Sequence, residues 1–257
     1  ATEGIGWSIG RKVHAPAVVA GQATALGHGA RAPLHAASRA RGGGGAASSS
    51  PLRMVSAEPV IQPVSKSANP RLAEVFDRVS EDKRAAFIPY LTPGYPKRGD
   101  TVELLLAMRG GAGGGGGREG GADVIELGVP FTDPQADGTT IQTTNQVALK
   151  NKITLVDCLD YVKEARAKGL TTPVVLMGYL NPFLAYGLDP LMKDSKEAGV
   201  DGFIVADLLP DEAHDFVTKC RDNQLSFIPL VSPTTTDDRL PYVASAADSF
   251  IYCVRSA

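Results

Sequence analysis

The chain has 257 residues, a hydrophobic fraction of 43% and a formal net charge of -2 at pH 7. This length suits one large domain, and the near-neutral charge gives no reason to expect a nucleic acid or an anionic membrane as a partner. No apolar run reaches the roughly 18 residues that a membrane-spanning helix needs. The three cysteines, Cys158, Cys220 and Cys253, are far apart, so they predict neither a metal site nor a disulfide scaffold.

Residues 1–56 differ in composition from the rest of the chain. They are rich in Ala, Gly, Ser and Arg, and Glu3 is the only acid before Glu58. A basic, acid-poor segment is typical of an organellar transit peptide, and the alternative is a disordered tail without a targeting role. On both interpretations we expect residues 1–56 to be disordered and outside the fold. We expect a plastid (chloroplast) protein, with the cytoplasm as the alternative.

Strand and helix patterns alternate through residues 57–257, which we interpret as one domain. Apolar, β-branched runs predict six strands, at 87–91, 123–127, 173–177, 202–207, 225–231 and 249–254. Helical periodicity predicts helices at 69–85, 100–108, 139–150, 155–168, 188–197, 211–223 and 236–245. This order indicates an α/β fold with a parallel sheet. A TIM-type (β/α)8 barrel has eight strands, so we expect an incomplete barrel with about six of the eight.

A glycine-rich tract at residues 109–121 lies between a predicted helix and a predicted strand. Such a tract could suggest a phosphate-binding loop. However, no strand precedes it, and the Gly-Lys-Ser/Thr ending of a P-loop is missing. We therefore interpret residues 109–121 as a flexible insertion within the domain.

Three acids follow one another around the predicted strand 123–127. Glu126 interrupts the apolar run, and Asp133 and Asp137 lie in the loop that follows the strand. Ligands of α/β proteins bind at the carboxyl ends of the strands. A buried, unpaired acid is costly, and burial would raise the pKa of Glu126 toward the range of a general acid or base. The alternatives are a salt-bridged acid for Glu126 and a turn or helix-capping aspartate for Asp137.

The segment ELGVPFTDPQADGTTIQ at 126–142 resembles the active-site segment of the tryptophan synthase alpha subunit, E-L-G-[VI]-P-[FY]-[ST]-D-P-x-A-D-G-P-x-I-Q. It departs at Thr139, where that family has Pro. The run FIPYLTPGYP at 87–96 is similar to the family's first barrel strand. LMGYLNP at 176–182 is similar to L-M-x-Y-Y-N-P, with Leu180 in place of the second Tyr. The resemblance extends from about residue 69 to residue 254.

The resemblance implies a lyase of tryptophan biosynthesis that cleaves indole-3-glycerol phosphate into indole and glyceraldehyde 3-phosphate by a retro-aldol reaction. It implies that Glu126 is the general acid and base and that Asp137 accepts a hydrogen bond from the indole N–H. Tyr90, Tyr179 and Tyr252 match positions that line the indole pocket in the family.

The same resemblance implies a tryptophan synthase beta subunit, separate or fused, as the partner. Asn181 and Pro182 match the surface that docks it, and Asp133 is assigned to loop structure or to this contact. No cofactor or metal is expected in this chain, because pyridoxal phosphate belongs to the beta partner.

The family's pattern continues beyond residue 254 with the loops that grip the substrate phosphate, and Arg255-Ser256-Ala257 does not continue it. We therefore expect a C-terminally truncated alpha-type domain, with both carboxylates but weak or no activity. Two alternatives stay open: a catalytically inert barrel fragment that binds a beta-type partner, and another barrel enzyme that acts on phosphosugars.

Overall fold

The computed structural model describes residues 68–109 and 121–254 in full, and the backbone of residues 17–22 and 255. The predicted targeting role and disorder of residues 1–56 therefore lie mostly outside the described residues. The same holds for the predicted insertion, of which only residues 109 and 121 are described.

Strands and helices alternate along the described chain. The strands are β1 (Ala17–Gln22), β2 (Tyr90–Leu91), β3 (Ile125–Gly128), β4 (Val174–Gly178), β5 (Gly202–Val205), β6 (Ser226–Ile228), β7 (Leu230–Val231) and β8 (Phe250–Arg255). The α-helices are α1 (Pro70–Glu81), α2 (Thr101–Ala107), α3 (Thr139–Lys150), α4 (Leu155–Ala167), α5 (Leu180–Tyr186), α6 (Leu188–Ala198), α7 (His214–Asp222) and α8 (Leu240–Ala246). Short 3-10 turns at 98–100 and 210–212 precede α2 and α7.

Every strand pair in the described chain is parallel, which confirms the predicted α/β class. Strands β2 to β6 form one sheet in sequence order, and β8 lies between β7 and β1 in a second sheet. Pro229 separates β6 from β7, and its carbonyl accepts a hydrogen bond from the Tyr252 N–H at 2.9 Å. The strand order therefore continues from β6 through β7 to β8, which is the arrangement of a partial β/α barrel.

The structure contains each of the six predicted strands, with boundaries shifted by a few residues. The predicted strand 225–231 is broken at Pro229 because proline has no N–H to donate to a neighbouring strand. Helix α5 was not predicted. Its first backbone N–H, at Leu180, donates to Asp207 Oδ1 at 2.7 Å, and Asp207 follows a different strand. A tertiary contact thus helps to start this helix.

Strand β1 corrects the expectation that all of residues 1–56 lies outside the fold. Its six residues, Ala17–Gln22, pair in register with the six residues of β8, Phe250–Arg255. An edge strand exposes a row of unpaired N–H and C=O groups, and β1 satisfies that row. Local composition gives no sign of such a distant partner.

The interior of the partial barrel is filled by one face of the sheet together with helix α1. Val124, Val175 and Ile204 on neighbouring strand segments belong to the same buried cluster as Leu72 and Val75 of α1. Residues alternate between the two faces of a strand, so Ile125 and Leu127 instead join the core beneath the outer helices. Since Glu126 lies two residues after Val124, it shares the interior face.

Ion pairs with buried aspartates stabilise the amino-terminal ends of the strands. The Asp201 side chain is fully buried and accepts hydrogen bonds from Arg71 and Arg166, at 2.8 and 2.7 Å. Asp123, just before β3, accepts two hydrogen bonds from Arg84, at 2.7 and 2.8 Å. These aspartates are therefore held in the framework, away from the carboxyl ends of the strands.

Candidate active site

Glu126 lies in the middle of β3 on the interior face of the sheet. The residue is 5% exposed, and within the described ranges its carboxyl group has no hydrogen-bond partner. Burial, and then the nearby charge of Asp137, raise the pKa of Glu126 to about 7. The salt-bridged alternative is thereby ruled out for the described residues, and Glu126 can both give and take a proton near neutral pH.

Asp137 ends the loop that joins β3 to α3. The N-cap of α3 is Gly138, so the Asp137 side chain does not cap the helix. Its carboxylate accepts hydrogen bonds from the Tyr179 hydroxyl and from Asn145 Nδ2, the latter at 3.3 Å. Burial raises the pKa of Asp137 to about 6, although both donors oppose the rise. The group is therefore mostly ionised above neutral pH.

Two of the three predicted substrate-binding tyrosines face the carboxylates. Tyr90, on β2, pairs in register with Glu126, and Tyr252 lies on β8. Burial raises the pKa of both phenols, and the charges of Glu126 and Asp137 raise it further. Both tyrosines therefore remain protonated and can donate hydrogen bonds within the site.

Tyr179 has a different place from the other two tyrosines. It is 5% exposed, stacks on Phe131 with ring centroids 5.0 Å apart, and is not among the residues that line the cavity. Its hydroxyl accepts the Ala136 N–H at 2.9 Å, so its own proton is directed to Asp137. In this structure Tyr179 supports the loop and its carboxylate.

Gly128 allows Tyr90 to lie across the end of β3. A Cβ atom at position 128 would stand 1.9 Å from the Tyr90 hydroxyl oxygen. Such an approach is far inside van der Waals contact, so only glycine accommodates this tyrosine. Gly128 thereby helps to place the Tyr90 hydroxyl near the two acids.

The two acids open into a cavity of about 590 Å³ at the carboxyl ends of the strands. Its apolar lining includes Ile88, Ile141, Met177, Ile204, Leu208, Leu209, Leu230, Val231, Val243 and Val254. Its size falls within the range of small-molecule sites, and a mostly apolar wall with a few polar groups is typical of them.

The cavity also has a polar side that the sequence did not single out. It comprises Ser232, Thr234, Thr235 and Arg239, which follow β7. The Arg239 guanidinium donates to Asp211 Oδ2 at 2.8 Å and so joins this loop to the one after β5. Their position just after a predicted strand is the sequence feature that could have identified them, because the loops at the carboxyl ends of the strands form the sites of β/α barrels.

The three residues predicted to contact a partner lie outside the cavity lining. Asp133 is exposed and accepts a hydrogen bond from the Thr132 hydroxyl at 2.8 Å. Asn181 is exposed and Pro182 is half-buried in the first turn of α5. The stacking of Phe131 on Tyr179 brings their two loops together, so all three belong to the same region of the surface.

Two kinds of site were not found among the described residues. Across residues 68–109 and 121–254, no group of three or more His, Cys, Asp and Glu side chains could hold a metal ion. In the same part of the chain, no helix has both the length and the apolar character needed to cross a membrane.

A partial, parallel β/α barrel with one buried and one half-buried carboxylate at an apolar cavity defines a small-molecule enzyme site of the TIM-barrel class. A family model described as tryptophan synthase alpha chain matches residues 76–257. The chain belongs to the tryptophan synthase alpha chain family.

Relatives and solved structures agree with this assignment. The chain is 46% identical over 184 residues to the tryptophan synthase alpha chain of Roseiflexus sp. RS-1, covering 72% of this chain and 67% of the relative. It is also 46% identical over 184 residues to tryptophan synthase of Saccharomyces cerevisiae, of which it spans 25%. The fold resembles the crystal structure of tryptophan synthase subunit alpha from Legionella pneumophila, with a TM-score of 0.65 and 36% identity over 72% and 67% of the two chains. Tryptophan synthase of Mycobacterium tuberculosis gives a TM-score of 0.66 and 36% identity over 73% and 69%.

The chain thus spans about a quarter of the yeast relative and about two thirds of the bacterial one.

Proposed function

We propose that this chain catalyses the tryptophan synthase alpha reaction, the retro-aldol cleavage of indole-3-glycerol phosphate to indole and glyceraldehyde 3-phosphate. The observation that carries the proposal is the pairing of Glu126 and Asp137 at one apolar cavity. Their pKa values, about 7 and about 6, allow one acid to be protonated while the other is ionised. The family assignment supports the same chemistry.

The reaction needs a proton on C3 of the indole ring, because the indole carbanion is a poor leaving group. Neutral Glu126 gives that proton, and the ring becomes an iminium-like electron sink. The ionised Glu126 then takes the proton of the glycerol hydroxyl. The electrons of that O–H bond form the aldehyde, and those of the broken carbon–carbon bond restore the indole. The proton gained at C3 balances the one lost from the hydroxyl.

Positive charge builds up on the indole nitrogen during this sequence. Ionised Asp137 accepts the hydrogen bond of the indole N–H, and this bond strengthens as the charge develops. In the same pocket, Tyr90 and Tyr252 contact the ring and can donate hydrogen bonds. The polar side with Arg239 suits the glycerol phosphate end of the substrate, because its hydroxyls and guanidinium complement oxygen atoms.

The proposal extends to the partner protein, the cofactor and the cellular location. We propose a tryptophan synthase beta subunit or fused beta domain as the partner, contacted by Asp133, Asn181 and Pro182. No cofactor is needed in this chain, because the chemistry uses only the two carboxylates, and pyridoxal phosphate would act in the beta partner. The basic, acid-poor composition of residues 1–56 supports a plastid location.

Indole release from indole-3-glycerol phosphate tests the proposed reaction, with and without a beta subunit. We expect weak release by the wild-type chain and no release above background in Glu126→Gln, which cannot transfer the proton. Glu164→Gln is the matched control, since Glu164 is exposed on α4. Release that survives Glu126→Gln would contradict the assignment. A folded wild-type chain that releases no indole but binds the beta subunit would favour the alternative of a catalytically inert fragment that binds a beta-type partner.

A further inference from the structure

Asn145 is a buried polar residue that the proposed chemistry does not yet use. It lies in the middle of α3 and is 3% exposed. Its Nδ2 atom donates to Asp137 Oδ2 at 3.3 Å. Its Oδ1 atom is buried and has no hydrogen-bond partner in the part of the chain that the structure describes. The one hydrogen bond recorded for its side chain therefore goes to Asp137.

Gln142 contacts Asp137 from the same helix. Its Nε2 atom donates to the Asp137 carbonyl oxygen at 2.8 Å. Residues three apart in a helix lie on the same face, so one face of α3 donates two hydrogen bonds to Asp137. Gln142 holds its backbone and Asn145 holds its carboxylate.

A role in stability alone does not account for Asn145. Asparagine is a weak helix former, and a buried acceptor without a partner loses its hydration without compensation. The neighbouring buried position on this helix, Ala148, is apolar. An apolar side chain at position 145 would remove the unpaired oxygen, so asparagine there costs stability.

We propose that Asn145 is a positioning residue that acts through Asp137, aiming its carboxylate at the cavity and favouring its ionised form. An amide is suited to this task because it donates a directed hydrogen bond and carries no charge of its own. Together with the Tyr179 hydroxyl, it opposes the effect of burial on the pKa of Asp137. This inference rests on the proposed function only for its kinetic consequence.

The kinetic test replaces Asn145 with leucine, which has the same branching, a somewhat larger volume and no polar atoms. We expect kcat for indole release to fall roughly tenfold to a hundredfold, as for a misplaced catalytic group, and KM to change much less. Asn145→Leu introduced into the Asp137→Asn variant should lower kcat little further, because the effects of substitutions at residues that act through one another are not additive. Gln146→Ala, an exposed change on the same helix, is the control. Additive losses in the double variant would overturn the proposal.

A second measurement does not depend on activity. In a carbon-13 NMR titration of the aspartate carboxyls, assigned with Asp137→Asn, the wild-type Asp137 signal should have its midpoint at about 6. We expect a higher midpoint in Asn145→Leu and an unchanged one in Gln146→Ala, which leaves the amide donor in place. An unchanged midpoint in Asn145→Leu would overturn the proposal even if the wild-type chain releases no indole, which would separately contradict the proposed reaction.

Urea unfolding separates positioning from structural support. We expect Asn145→Leu to unfold at the same or a higher urea concentration than the wild type, because it removes the unpaired oxygen. A large loss of stability that parallels the loss of kcat would assign Asn145 a structural role instead. If Asn145→Leu does not fold, Asn145→Ala carries the same test, since it also removes the donor, and Gln146→Ala remains its control.

Discussion

Glu126 and Asp123 lie three residues apart around the same strand, yet their surroundings give them opposite properties. Burial and the charge of Asp137 raise the pKa of Glu126, and no cation of the described residues opposes this rise. Burial also acts on Asp123, but the hydrogen bonds and charge of Arg84 outweigh it and hold the pKa of Asp123 below its usual value. A carboxylate without a cation is thus available for proton transfer, whereas a paired one is held in its ionised form.

Glu126 is buried without a counter-charge among the described residues, which should lower the free energy of unfolding at alkaline pH. Its folded pKa of about 7 exceeds the ordinary value of 4.5, so between these values the native state binds more protons than the unfolded state. The free energy of unfolding therefore falls as the pH rises through this window. We expect Glu126→Gln to be about 1–3 kcal/mol more stable than the wild type at pH 8 and nearly equal at pH 4.5.

Urea unfolding at the two pH values measures this difference, with Glu164→Gln as the exposed control. A Glu126→Gln variant that is less stable than the wild type at pH 8 would show that the carboxylate has a favourable partner after all.

The two site carboxyls should also shape the pH dependence of catalysis. Asp137 must be ionised, with a pKa of about 6, and Glu126 must be protonated for the first step, with a pKa of about 7. We expect kcat/KM for indole release to rise through about pH 6 and to fall through about pH 7. Because the two carboxyls interact, these apparent pKa values describe the pair and not either residue alone. The residual activity of Asp137→Asn should lack the acidic limb. A flat profile from pH 5 to pH 8 would contradict these roles.

At the scale of the elements, the two ends of the parallel strands carry acids for different purposes. The amino-terminal ends carry Asp123 and Asp201, both bonded to arginines. The carboxyl end of β3 leads into the loop that carries Asp137, whose donors are uncharged. The segregation follows from barrel geometry, since stabilising contacts lie at one face and the ligand site at the other.

The Asp201 cluster should be the more sensitive of these structural sites. Its carboxylate is fully buried and bridges Arg71 and Arg166, so Asp201→Asn leaves charged arginine groups without their partner. We expect the free energy of unfolding to fall by about 3–5 kcal/mol. In contrast, Asp189→Asn should change it by less than about 1 kcal/mol, because Asp189 is 82% exposed in its pair with Lys219. Urea unfolding of both variants measures the contrast, and equal losses would disprove it.

At the scale of the whole molecule, the site exists only because distant segments converge. The two carboxylates come from β3 and its loop, and the tyrosines and the polar side come from β2, β8 and the loop after β7. The described residues on either side of the glycine-rich tract lie next to each other: Ala122 N donates to Met108 O at 2.8 Å, and Arg109 forms a parallel bridge with Ala122. The chain is therefore at adjacent points just before and just after the tract.

Because those two points are adjacent, the fold should not require a long connection between them. We expect replacement of residues 110–120 by Gly-Ser to leave indole release unchanged and to raise the free energy of unfolding by about 1–2 kcal/mol, since a shorter loop costs less entropy to close. Circular dichroism during urea unfolding, together with the indole assay, measures both effects. A loss of folding or of activity would show that the tract is more than an insertion.

The sequence by itself determined the elements, the class of fold and the motif that carries the acids. Period-two and helical patterns are local, so the six predicted strands and most helices were found close to their predicted bounds. The acid within the apolar run at 123–127 marked Glu126 for the same reason. Strand β1 and helix α5 escaped prediction because each depends on a partner that is distant in sequence, the edge of β8 and the carboxylate of Asp207.

The surroundings of each candidate residue are visible only in the folded chain. The fold pairs Asp123 and Asp201 with arginines, leaves Glu126 without a cation in the part of the chain that is described, and places Tyr179 and Asn145 against Asp137. It also brings Arg239 into the cavity wall. Burial, charge pairing and hydrogen-bond direction depend on which segments meet in space, and residue spacing along the chain does not contain that information.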